Sequence, residues 1–561
     1  MSVKTLKLVP IALLAAAIVG AFPSAEPVHL IRIDKGDARL WGTLTREQID
    51  VVQELRTCYL ARADRNDIAA VRDAGASVDV IERNIRDISF LLLPSITAET
   101  RASLGRAGKL AAVEQEISLF WADAGDPAAL LPAGLSWKPL PSTSLLPFLR
   151  PSDRPAPQSV VGGVRNDIVD RIVADVSSSS LRSLVQKLQD FRTRYTATPN
   201  CDAAGQYIFS YFVGLGLNVR FQDVSYGAGV SRNVVAELPG KVYPKDVLIV
   251  SGHYDSTSDQ RTSLAPGADD NASGTAAAME AARILIRYPL DFTVRFIAFT
   301  GEEQGLLGSK VYAQDVRSRG ENVIGVLNLD MIAYADKLPE DLEVIANNAS
   351  DWLAAKFVAV SGAYGLIQAN RIIDSSAVFS DHSPFWDRGY SAVLAIESVT
   401  GANPYYHRTT DTIDTLNFEF YTQSSRAALA TLAELGQPVR PGYPATPSGL
   451  TATSYLYVSL FGAVKNIELI WPASSGAAGY NIYRSDVSHL NYAKLNGSPL
   501  ARPSYTDREV TADVSWFYVV TAVGPTGLES NSSIEVHVLP SMAESGSSSA
   551  RQLSFAVGGM R

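Results

Sequence analysis

Cysteine is nearly absent: Cys58 and Cys201 are the only two in 561 residues. That excludes a disulfide scaffold and a cysteine-ligated zinc cluster, so a hydrophobic core has to hold the fold together. Basic runs are missing and the net charge is −9, which excludes the positive face that a nucleic-acid partner needs. Past the N-terminus no apolar stretch approaches the ~20 residues of a membrane span. There is no internal repeat of solenoid type. Histidine is scarce as well, six in all, and His29, His489 and His537 lie apart from the α/β pattern described below.

What remains is an ordinary globular composition, 46% hydrophobic and 19% charged, long enough for three or four units at roughly 100–200 residues each. The start, "MSVKTLKLVPIALLAAAIVGAFPSAEP", sets Lys4 and Lys7 before an apolar run from Leu8 to Phe22 and then small residues. This pattern predicts a signal peptide over 1–25. It implies a secreted or periplasmic protein with no stable membrane insertion after signal removal.

Residues 26–135 mix β-rich pieces ("VHLIRID", "ISFLLLP") with stretches that read as helices ("TREQIDVVQELR", "DIAAVRDAG", "ETRASLGRAGKLAAVEQEISLFWADA"), an α+β region. Seven prolines between Pro132 and Pro157 predict an extended linker over 136–160. From 161 to 437 helical segments alternate with short apolar runs such as "DVLIVSGHYDS", "TVRFIAFT", "VIGVLNLDM" and "SAVLAIES". This predicts a mixed, largely parallel α/β sheet sandwiched by helices. A second Pro/Gly linker covers 438–446. Residues 447–539 then read as a β-sandwich, with Trp471, Tyr480, Tyr483, Trp516 and Tyr518 spaced as core positions. The early Trp471 and the "GYNIYRS" strand resemble a fibronectin type III module. Such a module is expected to act as a spacer, or to bind a surface or polymer. The tail, 540–561, reads as disordered.

The chemistry concentrates in 161–437. His253 and Asp255, two apart at a strand end, fall on one side of an extended chain. Asp269 and Asp270 precede a helix whose N-cap is Ser273 or Asn271, and helix capping alone would explain one of these two carboxylates. Glu302 and Glu303 sit side by side where a buried strand stops, a costly place for two carboxylates unless something compensates. Asp330 ends another apolar strand, and His407 lies in the loop "NPYYHRTTDT". Two histidines and three or more carboxylates suit two Zn²⁺ ions, with one glutamate a ligand and the other free as a base.

The strings "HYDS", "APGADDNASG", "TGEEQGLLGS", "LNLDM", "SDHSPF" and "YYHRTTDT", in that order, resemble the di-zinc aminopeptidases of the bacterial leucyl aminopeptidase and aminopeptidase Y type, over residues 165–435. The resemblance implies a zinc exopeptidase fold and two Zn²⁺ ions. It implies His253 and Asp330 on one zinc, Glu303 and His407 on the other, and Asp270 between them. Glu302 would be the general acid/base and Asp255 would orient His253. It further implies removal of N-terminal residues from peptides with a free N-terminus, by a hydroxide held between the zincs. Asp381 and His382 match a motif near the substrate pocket but are not ligands. Some relatives carry an inhibitory propeptide, which residues 26–135 would represent here. Relatives on the same fold also include carboxypeptidases, dipeptidases and glutaminyl cyclases.

Overall fold

The computed structural model describes residues 27–140 and 166–540, apart from 36–39, 41–42, 45–48, 56, 86–87, 95, 114–116, 123–126, 132–137, 197, 228, 337–339, 399–402, 460–461 and 512–513. The expected signal peptide, nearly all of the first linker and the tail lie outside the described residues.

The centre is an eight-stranded sheet. Its order is Ala369–Ile373, Leu342–Ala346, Ala392–Glu397, Asn322–Leu329, Tyr243–His253, Phe292–Phe299, Gly229–Leu238 and Asn218–Tyr226. The four strands from Ala392–Glu397 to Phe292–Phe299 run parallel, and the outer pairings include antiparallel ones, so the sheet is mixed and largely parallel as expected. The apolar runs are continuous because both faces are covered. In Tyr243–His253, Leu248 and Val250 join one core, while Val247 and Ile249 join the other. The first core is closed by helices that include Ser178–Gln189, Gly274–Leu285 and Phe418–Gly436, the second by Leu307–Ser318 and Ser383–Trp386.

One close approach positions the site. A Cβ on Gly274 would lie 2.0 Å from the Leu329 carbonyl oxygen, and one on Gly252 would lie 2.6 Å from Gly274 itself. Only hydrogen in place of a side chain lets the start of the helix nest against two strand ends. Asp270 is thereby brought beside Asp330.

The described residues of 27–140 include two four-stranded antiparallel sheets and the helices Arg65–Asp73 and Ala98–Ala107. Two of the helices expected here are strands in part. Asp50–Glu54 pairs with Cys58–Ala63, and the long segment from 99 is helical only to Ala107 before Lys109–Ala112 and Ile117–Trp121 form a hairpin. Gly108 takes an extended backbone, and the apolar run Ile117–Trp121 is buried throughout, so pairing outweighs local helix propensity. Gln53 Nε2 donates to the Ser375 carbonyl at 3.3 Å, joining this region to the loop that leads into Asp381.

The C-terminal strands make two antiparallel sheets around Ile467, Trp471, Tyr480, Ile482, Tyr518 and Val520, with Trp516 packed at the margin. They meet the central sheet at its amino end: Tyr243 donates to the Pro447 carbonyl, and Asn531 Nδ2 to Asp291 at 2.9 Å. Cys58 and Cys201 are both buried and not paired with each other. Among the described residues no helix is long and apolar enough to cross a membrane.

Candidate active site

Three adjacent parallel strands end at one edge of the sheet. Beyond Tyr243–His253 comes Asp255, beyond Phe292–Phe299 come Glu302 and Glu303, and beyond Asn322–Leu329 comes Asp330. Strands lie ~4.8 Å apart, so side chains leaving three neighbouring ends converge. The turn at Gly301, with φ of +65°, is what sends the two glutamates back over the edge.

All five expected ligands meet there. His253 Nε2 lies 3.3 Å from Asp270 Oδ1 and 3.4 Å from Asp330 Oδ1. His407 Nε2 lies 3.2 Å from Asp270 Oδ2 and 3.0 Å from Glu303 Oε2. The two oxygens of Asp270 therefore face two different histidines. Glu302 Oε2 stands 3.9 Å from His253 Nε2, inside the cluster but farther off.

Asp255 does more than expected, and does it differently. Its carboxylate is 3.6 Å from His253 Nδ1, too far for a good hydrogen bond, while its own carbonyl is 3.2 Å from that nitrogen. The carboxylate instead accepts the main-chain N–H groups of Glu302 at 3.2 Å and Glu303 at 3.3 Å, and the Thr196 hydroxyl at 3.2 Å. It orients the glutamate pair directly.

The electrostatics follow from so much charge in so little water. Burial disfavours the imidazolium of His407, but the Glu303 and Asp270 carboxylates outweigh it and push the pKa to about 11. His253 is likewise held well above the usual value, against burial, by Glu302 and Asp330. Burial raises Glu303 to about 7 despite the pull of His407, and holds Glu302 well above the usual value despite the pull of His253, with Glu303, Asp330 and Asp381 adding to the shift. Asp270 is depressed: burial opposes its charge, but both histidines overcome it.

Whether a cation fits can be tested on the buried atoms. Asp270 Oδ2, Glu303 Oε1 and Asp330 Oδ1 are buried with no hydrogen-bond partner. Buried carboxylate oxygens are rarely left so. Two imidazoles and three carboxylates form the donor set of a zinc site, and a positive ion there would supply the missing partners. Among the described residues the only clusters of metal-ligating groups are in this site: His253, Glu302 and Asp330, and His253, Asp270 and Glu303.

Comparison with known proteins agrees. Residues 233–432 match peptidase family M28. A protein of Escherichia coli, named as the uncharacterized protein YfbL, is 30% identical over 256 residues, 40% of this chain and 77% of that protein. The chain belongs to peptidase family M28. It is a peptide hydrolase. Leucine aminopeptidase 1 of Arthroderma otae is 28% identical over 299 residues, 48% of this chain and 77% of the relative. A probable zinc metalloprotease of Pyrenophora tritici-repentis is 27% identical over 428 residues, 65% and 86% of the two chains.

Within this M28 site Ser380 and Arg194 are supporting residues that escaped the sequence reading. Ser380 Oγ donates to Asp330 Oδ2 at 2.5 Å. Arg194, wholly buried, donates to the carbonyls of Tyr254 at 2.6 Å, Pro266 at 2.6 Å and Gly267 at 2.7 Å, tying the His253 strand end to the Asp270 loop. Ser273 stands at the N-cap position of the helix without a side-chain bond to it, and Asn271 Oδ1 accepts the Gly274 N–H at 2.8 Å. Asp381 is fully buried near the cluster, its carboxyl pushed by burial to about 7. His382 turns away, its Nε2 2.7 Å from the Ala377 carbonyl and its ring edge-on to Trp386. Of the two that escaped, Ser380 had a local signal, the hydroxyl of "SDH" itself, and Arg194 had none.

Proposed function

We propose that this chain is a secreted aminopeptidase that holds two zinc ions and removes N-terminal residues from peptides. The observation that carries it is Asp270, whose two carboxylate oxygens face His253 and His407 separately. His253, Asp270 and Asp330 would hold one zinc, and His407, Asp270 and Glu303 the other. Bound zinc supplies a Lewis acid that polarises the scissile carbonyl and lowers the pKa of water toward 7.

The chain's own residues handle the proton. Glu302 stands nearest the cluster without facing a histidine at contact distance, and burial raises its pKa. It accepts a proton from the attacking water and passes it to the leaving amine. Asp255 fixes both ends of this division of labour by holding the N–H groups of Glu302 and Glu303. Asp270 stays ionised, which suits a carboxylate shared between cations.

The leucine aminopeptidase named among the relatives supports an exopeptidase acting at the N-terminus. The C-terminal sandwich, which meets the sheet at the end opposite His253, suits a spacer or anchoring role and a fibronectin type III identity. Residues 26–135, touching the Ser375 loop, fit a propeptide.

The test is release of p-nitroaniline from leucine p-nitroanilide and from its N-acetylated analogue, with and without a zinc chelator, alongside zinc analysis of the protein. Chelator-sensitive release from the free amine alone, with two zincs per chain, is expected. Cleavage only of substrates with a blocked N-terminus and a free carboxylate would replace this reading with a carboxypeptidase. Cyclisation of N-terminal glutamine would replace it with a glutaminyl cyclase.

A further inference from the structure

His407 is the ligand that needs the most help. It comes from a loop, not a strand end, and its own backbone is left-handed, with φ of +55°. A residue with a Cβ holds that conformation only where its surroundings impose it. The imposing contacts sit four residues to either side. Asn403 Nδ2 donates to Asp269 Oδ2 and to Glu397 Oε1, both at 3.1 Å. Asp411, 2% exposed, accepts the main-chain N–H of Asp269 at 2.9 Å through one oxygen and that of Asp270 at 3.0 Å through the other. Its carbonyl also accepts the Ala268 N–H at 3.2 Å. The loop that carries His407 is therefore clasped at both ends to the segment that carries Asp270.

The other half of the site is held independently. Asn271 Nδ2 donates to the Leu329 carbonyl at 2.8 Å, and the glycine contacts described above lock Asp270 against Asp330 and His253. Loss of the clasp would therefore loosen His407 from Asp270 while leaving Asp270, His253 and Asp330 in register.

We propose that Asp411 is a positioning residue for the second cation, setting the His407–Asp270–Glu303 donor set without belonging to it. This rests on the two-cation reading of the site. The carboxylate is what the position requires, since two N–H groups at an angle to one another need two acceptor atoms. An asparagine there would satisfy one and oppose the other with its own amide hydrogens, and an alanine would satisfy neither.

The experiment is a zinc titration of the full chain, stripped by chelation and competed with a chromophoric chelator, repeated with Co²⁺ by visible absorption. It compares wild type, Asp411→Asn, Asp411→Ala and Asn403→Ala. Wild type takes up two ions. In the Asp411 variants one of the two events weakens about 10–100-fold, the range seen when a residue supporting a ligand is removed. The other event stays within about threefold of wild type. The effect is larger for alanine than for asparagine, and the Co²⁺ spectrum of the weakened event changes. Should Asp411→Ala fail to fold, Asp411→Asn and Asn403→Ala carry the same comparison. Two unchanged events, or two events weakened alike, would overturn the assignment of Asp411. A single event in the wild type would instead overturn the two-cation reading beneath it.

Discussion

Replacing Asp255 with alanine takes the side-chain acceptor from two part-buried main-chain donors at once. Its carboxylate, wholly buried, accepts the Glu302 N–H at 3.2 Å and the Glu303 N–H at 3.3 Å. A buried donor left without a partner costs about 1–3 kcal/mol, and bonds this long belong at the lower end. The Thr196 hydroxyl, third on the carboxylate, can rotate and adds little. Two donors then amount to about 2–4 kcal/mol of lost local stability, concentrated in the turn that carries the glutamates. Asparagine keeps one acceptor oxygen and should lose about half as much. Amide hydrogen exchange on the metal-free protein reads this directly. At about 1.4 kcal/mol per factor of ten, Asp255→Ala should speed exchange at Glu302 and Glu303 by at least about thirtyfold, with strands remote from the site unchanged. Exchange within about threefold of wild type at both residues would refute the claim that this carboxylate holds the glutamate pair. So would an asparagine variant that exchanges faster than the alanine one.

Glu302→Gln should abolish most turnover while zinc content stays near wild type, whereas Glu303→Gln should lower zinc content; elemental analysis beside the p-nitroanilide assay separates them, and equal zinc loss in both would contradict the division of roles. Zinc uptake should release protons at pH 7, at least one from His407, whose pKa of about 11 makes it imidazolium in the metal-free site, and more from His253, held above its usual value, and from Glu303, raised to about 7, since every ligand must shed its proton to bind a cation. Calorimetry in buffers of different ionisation enthalpy counts them. Since Glu303 and Asp270 raise His407 to about 11 against the opposing effect of burial, its contribution to metal-free stability is complete below about pH 6.5 and is lost as pH rises toward 11. Urea unfolding of the stripped protein at pH 7 and pH 9.5 should show the decline. Gly274→Ala places a Cβ 2.0 Å from the Leu329 carbonyl and should destabilise the peptidase region by about 3 kcal/mol or more, visible as a lowered thermal midpoint. Arg194→Leu leaves the carbonyls of Tyr254, Pro266 and Gly267 without their buried donor and should cost about 3 kcal/mol or more by the same measurement.

Local pattern determined a large part of this molecule. The central strands were legible because each is a short, continuous apolar run, which is what burial on both faces demands. The residues of the site were legible because charge at the end of a buried strand is expensive, so His253, Glu302, Glu303 and Asp330 stood out against their surroundings. Asp270 and His407 gained meaning from the resemblance that joined six separated strings. The N-terminal region was read less well. "TREQIDVVQELR" and the stretch after Ala107 carry helix-forming residues, yet Asp50–Glu54 and Ile117–Trp121 are strands, because neighbouring strands offer ladder bonds and a buried face.

Only the folded chain decided how the site is held. Asp411 looks like any loop aspartate, Arg194 like any surface cation and Asn403 like any turn residue. Each acquires its role by meeting backbone groups that are distant in sequence: Asp411 lies 142 residues from Asp269, and Arg194 lies 73 from Gly267. Side chain to main-chain bonds leave little trace in composition or periodicity, since every residue offers the same N–H and C=O. The chemistry of the ligands was therefore written in the sequence. The geometry that makes them a site came from closure of the sheet, where three strand ends and two loops are forced into one small volume and the buried polar groups between them must find partners.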